Sequence, residues 1–186
     1  MTNDRPHAFM DLIENRVSIR RFVRTPVEKE KILRCLEAAR LAPSSENRQP
    51  WRFLVLDDPA VRDEFADRAF SGIYRVTRFA AEAPVLILLL ARLHFITHRL
   101  GRWYQRVPYH LIDMGIAGEH IVLEAEELGL GSCWIGWFDM RKARKHLGIP
   151  RGLSIVGMLA LGYYEKKPSR ERRRKTLDEI VTFNRL

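Results

Sequence analysis

The sequence predicts an α+β fold around a mixed, mostly antiparallel central sheet, and three observations carry the prediction. The run Ala83–Ala91 is continuously apolar, as a strand buried on both faces is. Helical and strand patterns follow one another without the regular βαβ alternation of a doubly wound parallel sheet. A chain of 186 residues, 46% hydrophobic, can also bury a real core as one domain over residues 1–186. No internal repeat, low-complexity stretch or linker divides it.

In chain order, a short amphipathic helix around Ala8–Glu14 carries Phe9, Leu12 and Ile13. A polar, arginine-rich loop, Asn15–Arg24, follows. Thr25-Pro26-Val27-Glu28 has the form of a capping box, with proline near the first helical position. The helix it opens sets Ile32, Leu33, Leu36 and Ala39 on one face and stops at Ala42-Pro43. Trp51–Leu56 is expected as a strand, Pro59–Arg68 as a surface helix and Pro84–Ala91 as the buried strand. Arg92–Val107 is basic and aromatic with poor periodicity. A long helix is expected from about Pro108 to Leu128, with Gly129 as its C-cap. Strand Ser132–Trp137, helix Asp139–His146 and a last core strand, Leu153–Tyr163, complete the set. Beyond Glu165 the chain is polar and basic, with one small apolar return at Leu177, Ile180, Val181 and Phe183.

With 32 Lys+Arg against 23 Asp+Glu, the net charge is +9. That favours anionic partners, whether phosphates, nucleotides, nucleic acid or acidic membranes, without choosing among them. Cys35 and Cys133 match no metal-ligand spacing, and His94 and His98 lack the glutamate that a zinc protease places after its first histidine. No metal is expected. The chain starts with polar residues, Met1–Arg5, and its longest apolar run is far too short to span a bilayer. The expectation is a cytoplasmic protein with no membrane partner.

Three segments can carry chemistry. Arg16-Val17-Ser18-Ile19-Arg20-Arg21-Phe22 offers forked cations and a hydroxyl to a phosphate monoester. In an extended loop, residues 16, 18 and 20 share one side. A solvated basic loop would read the same way. Ala42-Pro43-Ser44-Ser45-Glu46-Asn47-Arg48-Gln49-Pro50-Trp51 places two hydroxyls and two amides beside a strand end, an inventory that can read the edge of a planar heterocycle. It also suits a plain turn. Leu128-Gly129-Leu130-Gly131-Ser132-Cys133-Trp134-Ile135-Gly136 follows a helix and precedes a strand, the reverse of the Rossmann order. Its glycines either cap the helix or let backbone approach a flat ligand.

Together these segments resemble the FMN-dependent nitroreductase superfamily, with its R-x-S-x-R-x-F, A-P-S-x-x-N-x-Q-P-W and G-x-G-x-C-W-I-G segments in this order. Arg174-Lys175-Thr176-Leu177-Asp178-Glu179-Ile180 resembles the family's closing R-K-P-L-E-E-I, with Thr176 in place of proline. The resemblance implies a three-layer α+β sandwich whose C-terminal extension clasps the partner of a homodimer. It implies FMN as cofactor: Arg16 and Ser18 on the phosphate and ribityl chain, Val17 through backbone, and Arg20 near the pyrimidine edge. Pro43, Ser44, Ser45 and Asn47 would reach the flavin held mainly by the other subunit. The backbone of Cys133, Trp134, Ile135 and Gly136 would line the ring and offer an N–H to its N5, and Arg174 with Arg172 would close on the phosphate. NADH or NADPH would be the transient donor.

The resulting expectation is an oxidoreductase that passes hydride to a small acceptor, a nitroaromatic or quinone, by ping-pong kinetics. Trp103 and Tyr104 would then line the acceptor pocket. The flavin carries the chemistry, so no catalytic side chain is expected. The same motifs suit dehalogenation, flavin destruction or dehydrogenation. A basic nucleic-acid-binding module would also explain the charge, although no helix-turn-helix, RNA-binding sheet signature or zinc pattern is present and no nucleic-acid partner is expected.

Overall fold

The computed structural model describes residues 8–92, 107–168 and 173–185. The expected acceptor residues Trp103 and Tyr104, and Arg172, lie outside them. Four strands, β1 (Trp51–Leu56), β2 (Val85–Arg92), β3 (Gly131–Ile135) and β4 (Leu153–Gly162), form one sheet in the order β1-β2-β4-β3. Every pair in it is antiparallel. Among the described residues, the parallel component is a single bridge between Ser18 and Ser132.

β2 is central because both of its faces are apolar. Leu86, Leu88 and Leu90 point to one side, Val85, Ile87, Leu89 and Ala91 to the other. Around the sheet lie α1 (Ala8–Asn15), α2 (Lys29–Arg40), α3 (Pro59–Ala69), α4 (Tyr109–Glu127), α5 (Met140–His146) and α6 (Leu177–Ile180). The first face packs on Phe65, Ala69 and Phe70 at α3 and on Ala143 of α5. The second packs on Ile32, Cys35 and Ala39 of α2 and on Met114, Ala117 and Ile121 of α4. Helix, sheet and helix thus form three layers, as the resemblance implies.

One local expectation fails for a physical reason. Thr25 opens no capping box: α2 starts at Lys29 with Glu28 as N-cap, and Glu28 makes no side-chain cap bond. Its carboxylate accepts from the Tyr163 hydroxyl at 2.6 Å instead, and that bond holds Glu28 below the usual carboxylate range. A capping box does form at Thr176, whose N–H and hydroxyl both donate to Glu179 at 2.7 and 3.1 Å. A proline there would have no N–H to give, so the departure from the family pattern has a local use. Gly72–Glu82 forms a 3₁₀ stretch between α3 and β2, a segment for which the sequence carried no expectation.

Candidate functional site

β3 is an edge strand, and its outer row of backbone groups needs partners. The segment after α1 supplies one. Ile19 N–H donates to the Ser132 carbonyl at 2.9 Å, and the Ile19 side chain is buried. This approach requires glycine at 131, because a Cβ there would stand 2.6 Å from Ile19 Cγ1 and 2.7 Å from Tyr164 Cδ1. The arginine-rich segment is therefore pinned to the sheet and is no loose solvated loop.

Pinning Ile19 brings Arg16, Ser18 and Arg20 to the Cys133 thiol. Burial pushes that thiol up, while Arg20, a hydrogen bond with Ser18 and Arg16 pull it back. The Arg20 guanidinium carbon lies 5.9 Å from the centre of the Phe79 ring, which ties the site to the 3₁₀ stretch. A cleft of about 840 Å³ opens between Ser18–Val23 and Glu165–Pro168, with Arg20, Arg21 and Lys166 among its cations. Farther along, Gly136 is exposed and a Cβ there would meet nothing within 4 Å. A planar ligand can reach backbone at that point. Trp134 points to the other face, over Gly118 of α4, where a Cβ would stand 2.2 Å from the indole.

The thiols differ in kind. Cys35 is buried under α4, and burial raises it from 9.0 to about 12. A raised pKa leaves the neutral thiol below that value, so Cys35 should resist alkylation at pH 8 in the native protein. A time course of thiol labelling followed by peptide mapping checks this; rapid labelling of Cys35 would contradict it.

The second expected segment is held in an unusual shape. Glu46, Asn47 and Gln49 have φ of 51°, 52° and 47°, and a left-handed non-glycine residue costs roughly 1–3 kcal/mol. Bonds within the loop maintain it, among them Gln49 N–H to Ser44 Oγ at 3.0 Å, Gln49 Nε2 to Asn47 Oδ1 at 3.0 Å and Asn47 N–H to the Ser44 carbonyl at 3.0 Å, and Ser45 N–H ties it to Asp113 Oδ1 at 2.9 Å. A plain turn carries no such cost.

These two segments lie far apart across the sheet. Trp51, where the Ser44–Gln49 loop joins β1, pairs with Ala91 at the end of β2. Ser132 pairs with Leu161, which pairs with Val85 at the start of β2. Three strand spacings and six residues of rise separate the two points, a diagonal of roughly 25 Å. Arg174 is exposed in the tail, with Nη1 donating to the Arg173 carbonyl at 3.0 Å, and it does not line the cleft.

Sequence reasoning missed Phe79, Asp113 and Trp137. Trp137 is 51% exposed yet fixed, its indole N–H on the Ile73 carbonyl at 3.2 Å and its own carbonyl accepting from Thr77 at 2.6 Å. Asp113 did leave a signal: it stands i, i+4, i+8 with Ala117 and Ile121, a charge on a buried stripe.

The sequence model of the nitroreductase family matches residues 13–78 and 77–163. A NADH dehydrogenase of Thermus thermophilus is 32% identical over 174 residues, covering 80% of this chain and 82% of its own. An iodotyrosine deiodinase of Thermotoga neapolitana is 26% identical over 193 residues, covering 93% and 97%. Among solved structures, a nitroreductase family protein of Clostridium difficile 630 is similar at a TM-score of 0.77 and 30% identity, over 96% of this chain and 99% of that one. An FMN-dependent nitroreductase of Clostridium difficile R20291 matches at 0.74 and 28%, over 95% and 99%.

Proposed function

We propose that this chain, which belongs to the nitroreductase family, is an FMN-dependent oxidoreductase working as a homodimer. It takes hydride from NADH or NADPH and passes it to a small planar acceptor, a nitroaromatic or a quinone. The observation that carries this reading is the pinning of the Arg16–Arg20 segment along the β3 edge, through the Ser18–Ser132 bridge and the Ile19 N–H, next to a basic cleft. When bound, FMN would supply the two-electron chemistry.

The residues present fit that group. Arg16 and Ser18 offer charged and neutral donors to a phosphate dianion. Arg20, levelled on Phe79, puts a fixed positive charge where negative charge would develop on the reduced ring. Gly136 leaves room for the ring plane to approach backbone. Donor and acceptor would use one exposed face in turn, which gives ping-pong kinetics and parallel double-reciprocal lines.

The diagonal separation of the two half-sites supports the dimer. A two-fold axis that sets one subunit's Ser44–Asn47 corner against the other's Arg16–Arg20 edge completes two equal sites. Exposed apolar side chains support it: Leu111 and Ile112 on α4, and Leu177 and Phe183 in the tail at 73% and 84% exposure. An iodotyrosine deiodinase among the relatives makes reductive dehalogenation the second reaction to assay. The deciding measurement is flavin content with light scattering. One FMN per chain in a dimer is expected, and a colourless protein that neither quenches nor shifts added FMN would overturn the proposal.

A further inference from the structure

We propose that Asp113 is a positioning residue that acts in trans: it holds the Ser44–Gln49 loop in the shape that completes the partner subunit's flavin site. The inference rests on the dimeric flavoprotein reading above and extends it to a residue that touches no ligand.

Asp113 is 5% exposed, and it is the sole buried carboxylate among the described residues. Burying a carboxylate is unfavourable unless hydrogen bonds or a cation compensate. Among the described residues Asp113 enters no ion pair; its bond is to the Ser45 N–H at 2.9 Å. The rest of its stripe, Ala117 and Ile121, is ordinary core, where an apolar side chain would serve packing equally well. What an apolar side chain cannot do is hold that N–H.

The N–H matters because of where it lies. Ser45 opens the turn in which Glu46, Asn47 and Gln49 are left-handed. The far end of this turn is tied within itself, through Gln49 and Ser44. The near end is tied to α4, through Asp113. Without that tie the loop gains freedom to relax out of its strained shape. Because the loop stands roughly 25 Å across the sheet from its own Ser18 edge, the loss is felt in the other subunit's site.

Subunit complementation separates trans from cis. Asp113→Ala and Arg16→Ala homodimers should each bind FMN about tenfold or more weakly. In a doubly tagged heterodimer of the two variants, one site collects both defects and the other collects neither. The expected result is one FMN per dimer at wild-type affinity. If Asp113 acts in cis, each site carries one defect and no wild-type affinity returns; that result overturns the proposal.

A second pair of variants leaves α4 untouched. Ser45→Pro deletes the N–H, and the extended backbone of Ser44 (φ −144°, ψ 154°) accepts a following proline. Ser45→Ala keeps the N–H and loses the hydroxyl. Ser45→Pro should lose flavin beyond Ser45→Ala and be complemented by Arg16→Ala in the same way. Equal behaviour of the two serine variants would also overturn the proposal. A wild-type protein that takes up no flavin sinks the functional reading instead, so the two failures are distinct.

Discussion

A Gly131→Ala protein is expected to fold, to dimerise and to purify almost colourless. The added methyl would stand 2.6 and 2.9 Å from Ile19 Cγ1 and Cβ and 2.7 Å from Tyr164 Cδ1. Ile19 is 2% exposed and cannot swing into solvent. Its Cβ is one bond from the backbone, so the chain itself must move, and the 2.9 Å bond from Ile19 N–H to Ser132 is the contact that breaks. Arg16, Ser18 and Arg20 are then displaced together. Overpacking costs about 1–3 kcal/mol of stability, a fall in Tm of roughly 3–10 °C, whereas flavin binding loses several charged contacts at once. A thermal melt beside a visible spectrum makes the comparison. Full flavin content with a lowered Tm would mean that the segment is not held to β3 for the cofactor.

Arg16→Ala should weaken FMN by about 1.5–3 kcal/mol, the worth of a charge-assisted hydrogen bond, or roughly 10- to 150-fold. Riboflavin lacks the phosphate, so variant and wild type should bind it equally. Titrating both ligands by fluorescence quenching separates a phosphate contact from a collapsed site, because a collapsed site loses both. The thiol gives an independent reading. Arg16 is one of the groups that pull Cys133 down, so its removal raises that thiol further and should slow alkylation of Cys133.

The layers were legible because their signals are local. β2 announced itself by length and continuous apolarity, α4 by its length and the glycine after it, and β1 by a short apolar run closed by Asp57-Asp58. The arginine-rich segment was legible as chemistry but not as structure. What fixes it is a bond to Ser132, more than a hundred residues away, together with the missing side chain of Gly131. Ser44–Gln49 was legible for its hydroxyls and amides but not for its shape, because its left-handed residues, Glu46, Asn47 and Gln49, are not glycine, and composition cannot report strain that a distant carboxylate offsets. The misplaced capping box has the same root. Thr25 and Glu28 had the right spacing, but Glu28 had a better donor in Tyr163, contributed by the far end of the chain.

The strand order carries a kinetic consequence. No two neighbouring strands of this sheet are joined by a tight hairpin: Leu56 pairs with Leu86, Ile135 with Met158, and at the centre Val85 with Leu161, 76 positions away. Each pairing closes a long loop before any contact rewards it, so the folding rate falls in the slow range of high contact order. Until β4 arrives, the apolar run Val85–Ala91 has one edge unpaired and two faces seeking cover, which is the pattern of an aggregation-prone intermediate. Synthesis of this chain is therefore a race between β4 emerging from the ribosome and β2 finding another molecule. Lower temperature and slower expression should tilt that race toward soluble protein.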